Sequence, residues 1–100
     1  MLYQRYITSQ RWKRRRLRYY KKFGRICAAC GTDQNITVHH MSYERLGHEL
    51  DDDLLALCLD HHRLLHRLYP HTCREHTLLF LVDYQIPELR KIGALTPATL

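Results

Sequence analysis

The chain has 100 residues, of which 45% are hydrophobic and 26% charged, which is the composition of one small globular domain. This composition excludes a disordered protein, and apolar runs such as residues 78–82 are too short to span a bilayer, so we expect no membrane contact. The N-terminus lacks an apolar segment followed by a cleavage site. We therefore expect a reducing cytoplasm, in which cysteines bind metal rather than form disulfides.

The formal net charge of +6 is concentrated at the N-terminus. Residues 1–25 contain ten of the sixteen basic residues and no acidic residue, whereas the remaining residues contain six basic and ten acidic ones, a charge of −4. This asymmetry favours polyanion binding over a merely solvated basic helix or an arm that contacts an acidic protein. The predicted DNA-binding residues are Arg11, Arg14, Arg15, Arg18, Lys21 and Lys22.

The first predicted element is a basic helix that begins after Ser9, a good N-cap residue, and ends at about Phe23, just before Gly24. Bulky side chains recur along it at spacings of three and four, so we expect one face to pack on the domain. These positions are Trp12, Arg16, Tyr19, Tyr20 and Phe23. Residues 36–39 alternate and include β-branched side chains, so they predict a short strand.

A polar loop over residues 41–53 leads to the apolar residues 54–58, for which we expect a second strand or an extended entry into a helix. Asp60 is the predicted N-cap of that helix, which runs from His61 to about Tyr69 and ends before a proline. The predictions for the C-terminal part are a loop over residues 71–76, a strand or helix over residues 77–84, and the start of a short helix at residues 86–89.

Three cysteines and one histidine have the spacing of a structural zinc site. Cys27 and Cys30 form a Cys-x-x-Cys knuckle, and Cys58 is followed three residues later by His61. A site with four protein ligands has no open position, so this Cys₃His set predicts zinc that stabilises the fold. Cys73 is an alternative fourth ligand.

A second histidine set predicts a metal site with open positions. His62 and His66 lie one helical turn apart and share a face, and His39 ends the predicted first strand. Three imidazoles leave room on a divalent cation for water and phosphate oxygens, as catalytic sites require. His40 points to the other side of the strand and is free to act as a base, and His61 lies about 100° around the helix from His62.

The combined pattern resembles the HNH endonucleases. The resemblance covers residues 27–66 and rests on Cys27-x-x-Cys30, Val38-His39-His40, Gly47-x-Glu49, Asp53-Leu54 and Leu57-Cys58-x-x-His61-His62-x-x-x-His66. The helix that begins with Ser9-x-x-Trp12 is also similar to one that often precedes the knuckle in that family. Two positions depart from the family pattern. Asp53 stands where the family has an asparagine that ties the loop to the fold, and His61 replaces part of a second Cys-x-x-Cys.

The resemblance implies an α+β fold with a ββα-metal nuclease core. It implies one domain over residues 1–100, with a basic helical arm at 1–25, a zinc knuckle and core at 26–69, and a C-terminal extension at 70–100. It assigns catalytic positions to His40, the general base, and to Asp53. It assigns the ligands of a catalytic Mg²⁺, Mn²⁺, Ni²⁺ or Zn²⁺ to His39, His62 and His66. The implied reaction is hydrolysis of DNA phosphodiesters to 5′-phosphate and 3′-hydroxyl ends.

Two alternatives share part of the same pattern. A non-catalytic zinc module that binds nucleic acid through residues 1–25 needs the knuckle and the charge asymmetry, but it does not need the His39–His40 doublet. An accessory factor of a DNA-processing machine, such as a phage packaging motor, would work beside a larger complex. The expected partner in every case is DNA, contacted mostly through its phosphate backbone, by a monomer, a homodimer or a larger complex in the cytoplasm of a bacterium or of a phage-infected host.

Overall fold

The protein has an α+β fold in which helices surround one two-stranded antiparallel sheet. The computed structural model describes the backbone of residues 2–92 and the side chains of residues 2–89. Residues 93–100, the end of the predicted C-terminal extension, lie outside the described residues, as does Met1. The elements are α1 (Tyr3–Ile7), α2 (Gln10–Phe23), β1 (Ile36–His40), a 3₁₀ turn (Asp51–Asp53), β2 (Leu54–Cys58), α3 (Leu59–Leu68), α4 (Arg74–Tyr84) and α5 (Pro87–Ile92).

The basic helix α2 has the predicted ends and the predicted buried face. The Ser9 hydroxyl accepts a hydrogen bond from the Trp12 backbone amide at 3.1 Å, and Gly24 ends the helix with φ of 89°, a conformation that glycine adopts without strain. Trp12 and Tyr19 are buried in the core, and the rings of Tyr20 and Phe23 pack against it. The short helix α1, which precedes α2, is not predicted by the sequence pattern.

The hairpin of β1 and β2 carries both histidines of the doublet. The strands pair in a register that runs from Ile36 opposite Cys58 to His40 opposite Leu54. A further hydrogen bond from the Met41 amide to the Asp53 carbonyl, at 2.7 Å, continues the pairing beyond the strands. Both strands are largely buried, because their side chains share one hydrophobic core with those of α2, α3 and α4.

Helix α3 begins earlier than its sequence suggests. It starts at Leu59, directly after β2, and Cys58 is its N-cap, with the Cys58 Sγ accepting a hydrogen bond from the His61 amide at 3.4 Å. The prediction that Asp60 caps this helix is wrong. Asp60 lies in the first turn, where its negative charge is still favourable to the helix dipole.

The C-terminal segment is helical. The prediction of a loop over residues 71–76 is wrong for its last three residues, because α4 begins at Arg74. The prediction for residues 77–84 left open a strand or a helix, and the structure has a helix there. A short helix, α5, follows as predicted. Phe80 and Leu81 of α4 are fully buried in the core. Within residues 2–92, none of the helices is both long enough and apolar enough to cross a membrane.

Candidate metal centres and nucleic-acid interface

Four side chains from three segments bring their donor atoms together near the end of β2. The ligand atoms of Cys27, Cys30, Cys58 and His61 all lie within 4.8 Å of one another. His61 Nδ1 lies 3.2 Å from Cys58 Sγ and 3.8 Å from Cys27 Sγ. Neighbouring ligands on a tetrahedral zinc ion lie roughly 3.3–3.8 Å apart, so this set can hold a metal such as zinc. Cys73 lies outside this group, at the N-terminus of α4.

The thiols of this cluster influence one another's ionisation. Burial works against ionisation of Cys27, but hydrogen bonds from the backbone at Cys58, Cys30 and Ala29 together lower the pKa of its thiol. Burial raises the pKa of the Cys30 thiol to about 11, and the neighbouring Cys27 thiol raises it as well. The first thiolate therefore makes the next one harder to form. A bound cation removes that penalty, because cysteine binds metal as the thiolate.

The knuckle is held by hydrogen bonds from two sides. The Ala28 amide donates to the Ala56 carbonyl of β2 at 2.9 Å. From the C-terminal segment, Gln85 Nε2 donates to the Ala28 carbonyl at 3.0 Å, and the Ile86 amide donates to the Ala29 carbonyl at 2.9 Å. These bonds satisfy the buried backbone of a turn that has no regular secondary structure. They also connect the knuckle to α4, a link that the sequence motif does not reveal.

The second set of histidines converges between β1 and α3. His62 Nε2 lies 3.3 Å from His39 Nδ1 and 3.0 Å from His66 Nε2. Imidazole nitrogens that share one tetrahedral ion with bonds of about 2.0–2.1 Å lie roughly 3.3 Å apart, so the three donors fit one divalent cation. As the helical spacing predicts, His61 belongs to the cysteine cluster and its neighbour His62 to this one.

Hydrogen bonds to two threonine hydroxyls favour one tautomer of each imidazole. Thr37 Oγ1 donates to the Leu57 carbonyl at 2.8 Å, so its oxygen accepts the proton on His62 Nδ1, also at 2.8 Å. Thr77 Oγ1 likewise donates along its own helix and lies 3.0 Å from His39 Nε2. The lone pairs of His62 Nε2 and His39 Nδ1 then face each other across 3.3 Å without a proton between them. A cation between these atoms turns their repulsion into coordination.

Both of these imidazoles are in the neutral state that binds metal. Burial holds the pKa of His39 well below its usual value, and the neighbouring charges of His62 and His66 lower it further. Burial also lowers the pKa of His62 to about 4, with a further contribution from His66. At neutral pH, His39 and His62 therefore offer lone pairs without first losing a proton.

The other histidine of the doublet, His40, is held by a buried carboxylate. His40 Nε2 lies 2.8 Å from Glu49 Oε2, and the Tyr6 hydroxyl donates to Glu49 Oε1 at 2.7 Å. Burial opposes the ionisation of Glu49, but these hydrogen bonds outweigh it and lower the pKa of the carboxyl group. Glu49 is thus an acceptor, so the proton of neutral His40 lies on Nε2 and the lone pair on Nδ1.

Aromatic rings surround His40. The Trp12 ring stacks on the imidazole with a centroid distance of 4.5 Å, and the rings of Tyr43 and Tyr3 approach it at 5.7 and 6.2 Å. His40 is therefore only 4% exposed, whereas Tyr3 and Tyr43 are 38% and 44% exposed. The two tyrosines form the outer layer over the imidazole.

Asp53 holds the two ends of the polar loop together. Its carboxylate accepts two hydrogen bonds from Arg45, at 2.8 and 2.5 Å, and one from the Leu50 amide at 2.9 Å, while its carbonyl accepts from the Met41 amide. Arg74 lies 3.6 Å away. The hydrogen bonds from Arg45 lower the pKa of the buried carboxyl group. The two arginines thus balance the negative charge of Asp53, which an asparagine would not carry. The contacts of Asp53 hold the loop in position.

The six predicted DNA-binding residues differ in exposure and in whether they form ion pairs within the protein. Arg15 is buried, with Nε donating to the Glu49 carbonyl at 3.1 Å and Nη2 to Asp51 Oδ1 at 2.7 Å, so it serves the fold rather than a ligand. Lys22 also binds Asp51, at 2.7 Å, but stays 65% exposed. The exposed residues Arg11, Arg14, Arg18 and Lys21 complete the set.

Several supporting residues are missed by sequence reasoning. Glu49 belongs to the motif that suggests the HNH endonucleases, but the spacing alone gives no role for it. Thr37, Thr77 and Tyr6 have no signal in the sequence, because each meets its partner through the fold.

Comparisons with known proteins identify no family for this chain. No family model matches it, and no solved structure matches it with significance. The resemblance to the HNH endonucleases therefore stays a prediction.

Proposed function

We propose that this protein is a metal-dependent DNA endonuclease of the HNH type, in which β1, β2 and α3 form the ββα-metal core. The observation that carries this proposal is that two adjacent residues of β1 have different partners. His39 contributes to three imidazoles whose lone pairs converge, and His40 is oriented by a carboxylate that leaves its Nδ1 lone pair available. A strand that only stabilises a fold needs neither arrangement.

The proposed reaction is hydrolysis of a phosphodiester by an activated water. His40 Nδ1 takes a proton from the water, whose oxygen forms a bond to phosphorus while the bond to the leaving 3′ oxygen breaks. The leaving oxygen takes up a proton from solvent and becomes the 3′-hydroxyl. Glu49 accepts from His40 Nε2, which holds the ring in place and stabilises the imidazolium that forms. His39, His62 and His66 would hold a divalent cation, which would stabilise the charge on the phosphate and the leaving oxygen. The products carry 5′-phosphate and 3′-hydroxyl ends.

The rest of the chain supports this chemistry. Cys27, Cys30, Cys58 and His61 would hold a structural zinc ion that fixes the knuckle against the start of α3. The exposed cations of α2 would bind the DNA backbone by charge, with little sequence information and with a steep dependence on salt.

Cleavage of supercoiled plasmid tests this proposal. Purified protein is incubated with plasmid and Mg²⁺, Mn²⁺ or Ni²⁺, and nicked and linear products are quantified for wild type and for the His40→Ala and Glu49→Gln variants. Loss of a general base lowers the rate by about 10²–10⁴-fold, so His40→Ala should be almost inactive. Glu49→Gln keeps the shape but weakens the acceptor, so it should be intermediate. His71→Ala, a change of an exposed histidine, is the matched control.

Equal rates for His40→Ala and His71→Ala would show that His40 is not the base. No cleavage by wild type with any of the three metals would instead favour the alternative of a non-catalytic zinc module that binds nucleic acid, alone or as an accessory of a DNA-processing complex. The observation on the side of this alternative is the burial of His40 beneath the tyrosine rings.

A further inference from the structure

We propose that a cleft between α2 and residues 47–49 binds one phosphate group of the nucleic-acid backbone, next to the residues that hold His40. The cleft has a volume of about 440 Å³, and its walls include Arg11, Arg14, Arg18 and His48. The nature of the ligand rests on the proposed function, whereas the anion site itself rests on the charges and donors that line the cleft.

The arginines of the cleft are crowded by like charge. Positions 11, 14, 15 and 18 recur at spacings of three and four, so the four guanidinium groups share one face of α2 and repel one another. Within residues 2–89, Arg15 alone of these four arginines has a carboxylate partner, Asp51, which Lys22 also uses. Among the described residues, the side chains of Arg14 and Arg18 have neither an ion pair nor a hydrogen bond. An anion in the cleft would relieve this repulsion.

The hydrogen-bonding groups of the cleft also select an anion. Arg11 Nη2 lies 3.1 Å from His48 Nδ1, and because arginine can only donate, the proton of neutral His48 lies on Nε2 and adds another donor. The carboxylate in the wall, Glu49, is already occupied by Tyr6 and His40. The free groups are therefore hydrogen-bond donors, and those of the arginines are positively charged. Guanidinium groups also match phosphate oxygens in geometry.

The cleft is connected to the proposed general base through one residue. Glu49 forms part of its wall, and the Tyr6 hydroxyl and Arg15 Nε, which also face the cleft, bind this residue at 2.7 and 3.1 Å. The opposite oxygen of Glu49 binds His40 Nε2 at 2.8 Å. A phosphate held in the cleft would therefore fix the position of the DNA strand relative to His40, in addition to contributing affinity.

The anion site is tested first without DNA. Thermal unfolding is followed in inorganic phosphate and in sodium chloride at equal ionic strength, for wild type and for Arg14→Gln, Arg18→Gln and Lys13→Gln. Lys13 is exposed on the opposite side of α2, so its variant loses the same charge outside the cleft. Phosphate should raise the melting temperature of wild type and Lys13→Gln more than chloride does, and this difference should shrink in both arginine variants.

DNA binding is then measured in the His40→Ala background by fluorescence anisotropy of a labelled duplex across a salt series. Each arginine variant should bind roughly tenfold more weakly, and the slope of log K against log salt should fall by about one, whereas Lys13→Gln should stay within about twofold. Arginine variants that match Lys13→Gln in both experiments would overturn the proposal. An effect on phosphate stabilisation without an effect on DNA binding would overturn the assignment of the ligand. If wild type does not cleave plasmid but the arginine variants weaken both phosphate stabilisation and DNA binding, the proposed nuclease activity is refuted and the cleft remains a phosphate site.

Discussion

The threonine that supports the histidine cluster gives a sharp test of the second metal site. Thr37→Val keeps the shape and the strand preference of the side chain but removes the oxygen that accepts from His62 Nδ1. The proton of His62 is then free to move to Nε2, where it blocks the lone pair needed for metal. Removal of such a supporting hydrogen bond lowers metal affinity by about 10–100-fold, which corresponds to roughly 1.4–2.8 kcal/mol.

The affinity is measured by isothermal titration of zinc-containing protein with Ni²⁺ or Mn²⁺. Thr37→Ser retains the hydroxyl and should bind within about threefold of wild type, and Thr8→Val, which changes the exposed threonine that follows α1, should not differ. His62→Ala should abolish the titration, which identifies the site. Circular dichroism checks that each variant is folded. A folded Thr37→Val protein that binds as tightly as wild type would refute the assignment of the His62 proton.

Two further predictions concern stability. Chelation of the metal at the Cys₃His site should unfold the protein, because structural zinc contributes about 10–16 kcal/mol in small domains whereas total stability is about 5–15 kcal/mol. Elemental analysis should find one tightly bound zinc per chain, and the His62→Ala variant should retain it. A chain that is purified without zinc and still unfolds cooperatively would contradict this prediction. Asp53 has a lowered pKa in the folded protein, so its charge stabilises the fold above pH 4 and this contribution disappears as pH falls through the folded pKa. Asp53→Asn should therefore be less stable than wild type at pH 7, and denaturant titrations should show the difference shrinking towards pH 2; a difference that is independent of pH would contradict this reasoning.

The parts of the fold that are predictable from the sequence are those set by local pattern. The alternation before the histidine doublet predicts β1, and the Ser9 cap and Gly24 stop predict α2. The spacing of the ligands predicts their separation into two groups, since a helix turns about 100° between neighbours. The start of α3 is mispredicted because Cys58 takes the N-cap position that Asp60 would suit by residue type.

The groups that orient the site cannot be predicted, because each depends on a contact between distant segments. Thr77 is 38 residues from His39, and Tyr6 is 43 residues from Glu49. A hydroxyl on a buried face has the same sequence signature whether it binds an imidazole or only the preceding turn of its own helix. Arg15 is a different case. Because it lies among exposed arginines in the sequence, it is predicted to bind DNA, but its side chain is buried in the structure.

The two metal sites are mechanically linked through the first turn of α3. A zinc ion held by Cys58 and His61 would fix the rotation of this helix about its axis, because it would tie the last residue of β2 to the first turn of α3. The rotation in turn decides whether His62 faces His39 on β1. A turn of 100° would exchange the positions of His61 and His62, so the set of His39, His62 and His66 requires the helix to be held within a small fraction of that angle. A zinc ion in the Cys₃His set would therefore position the proposed active site as well as stabilise the fold, and its loss should weaken metal binding at His62 even where some of the chain stays folded.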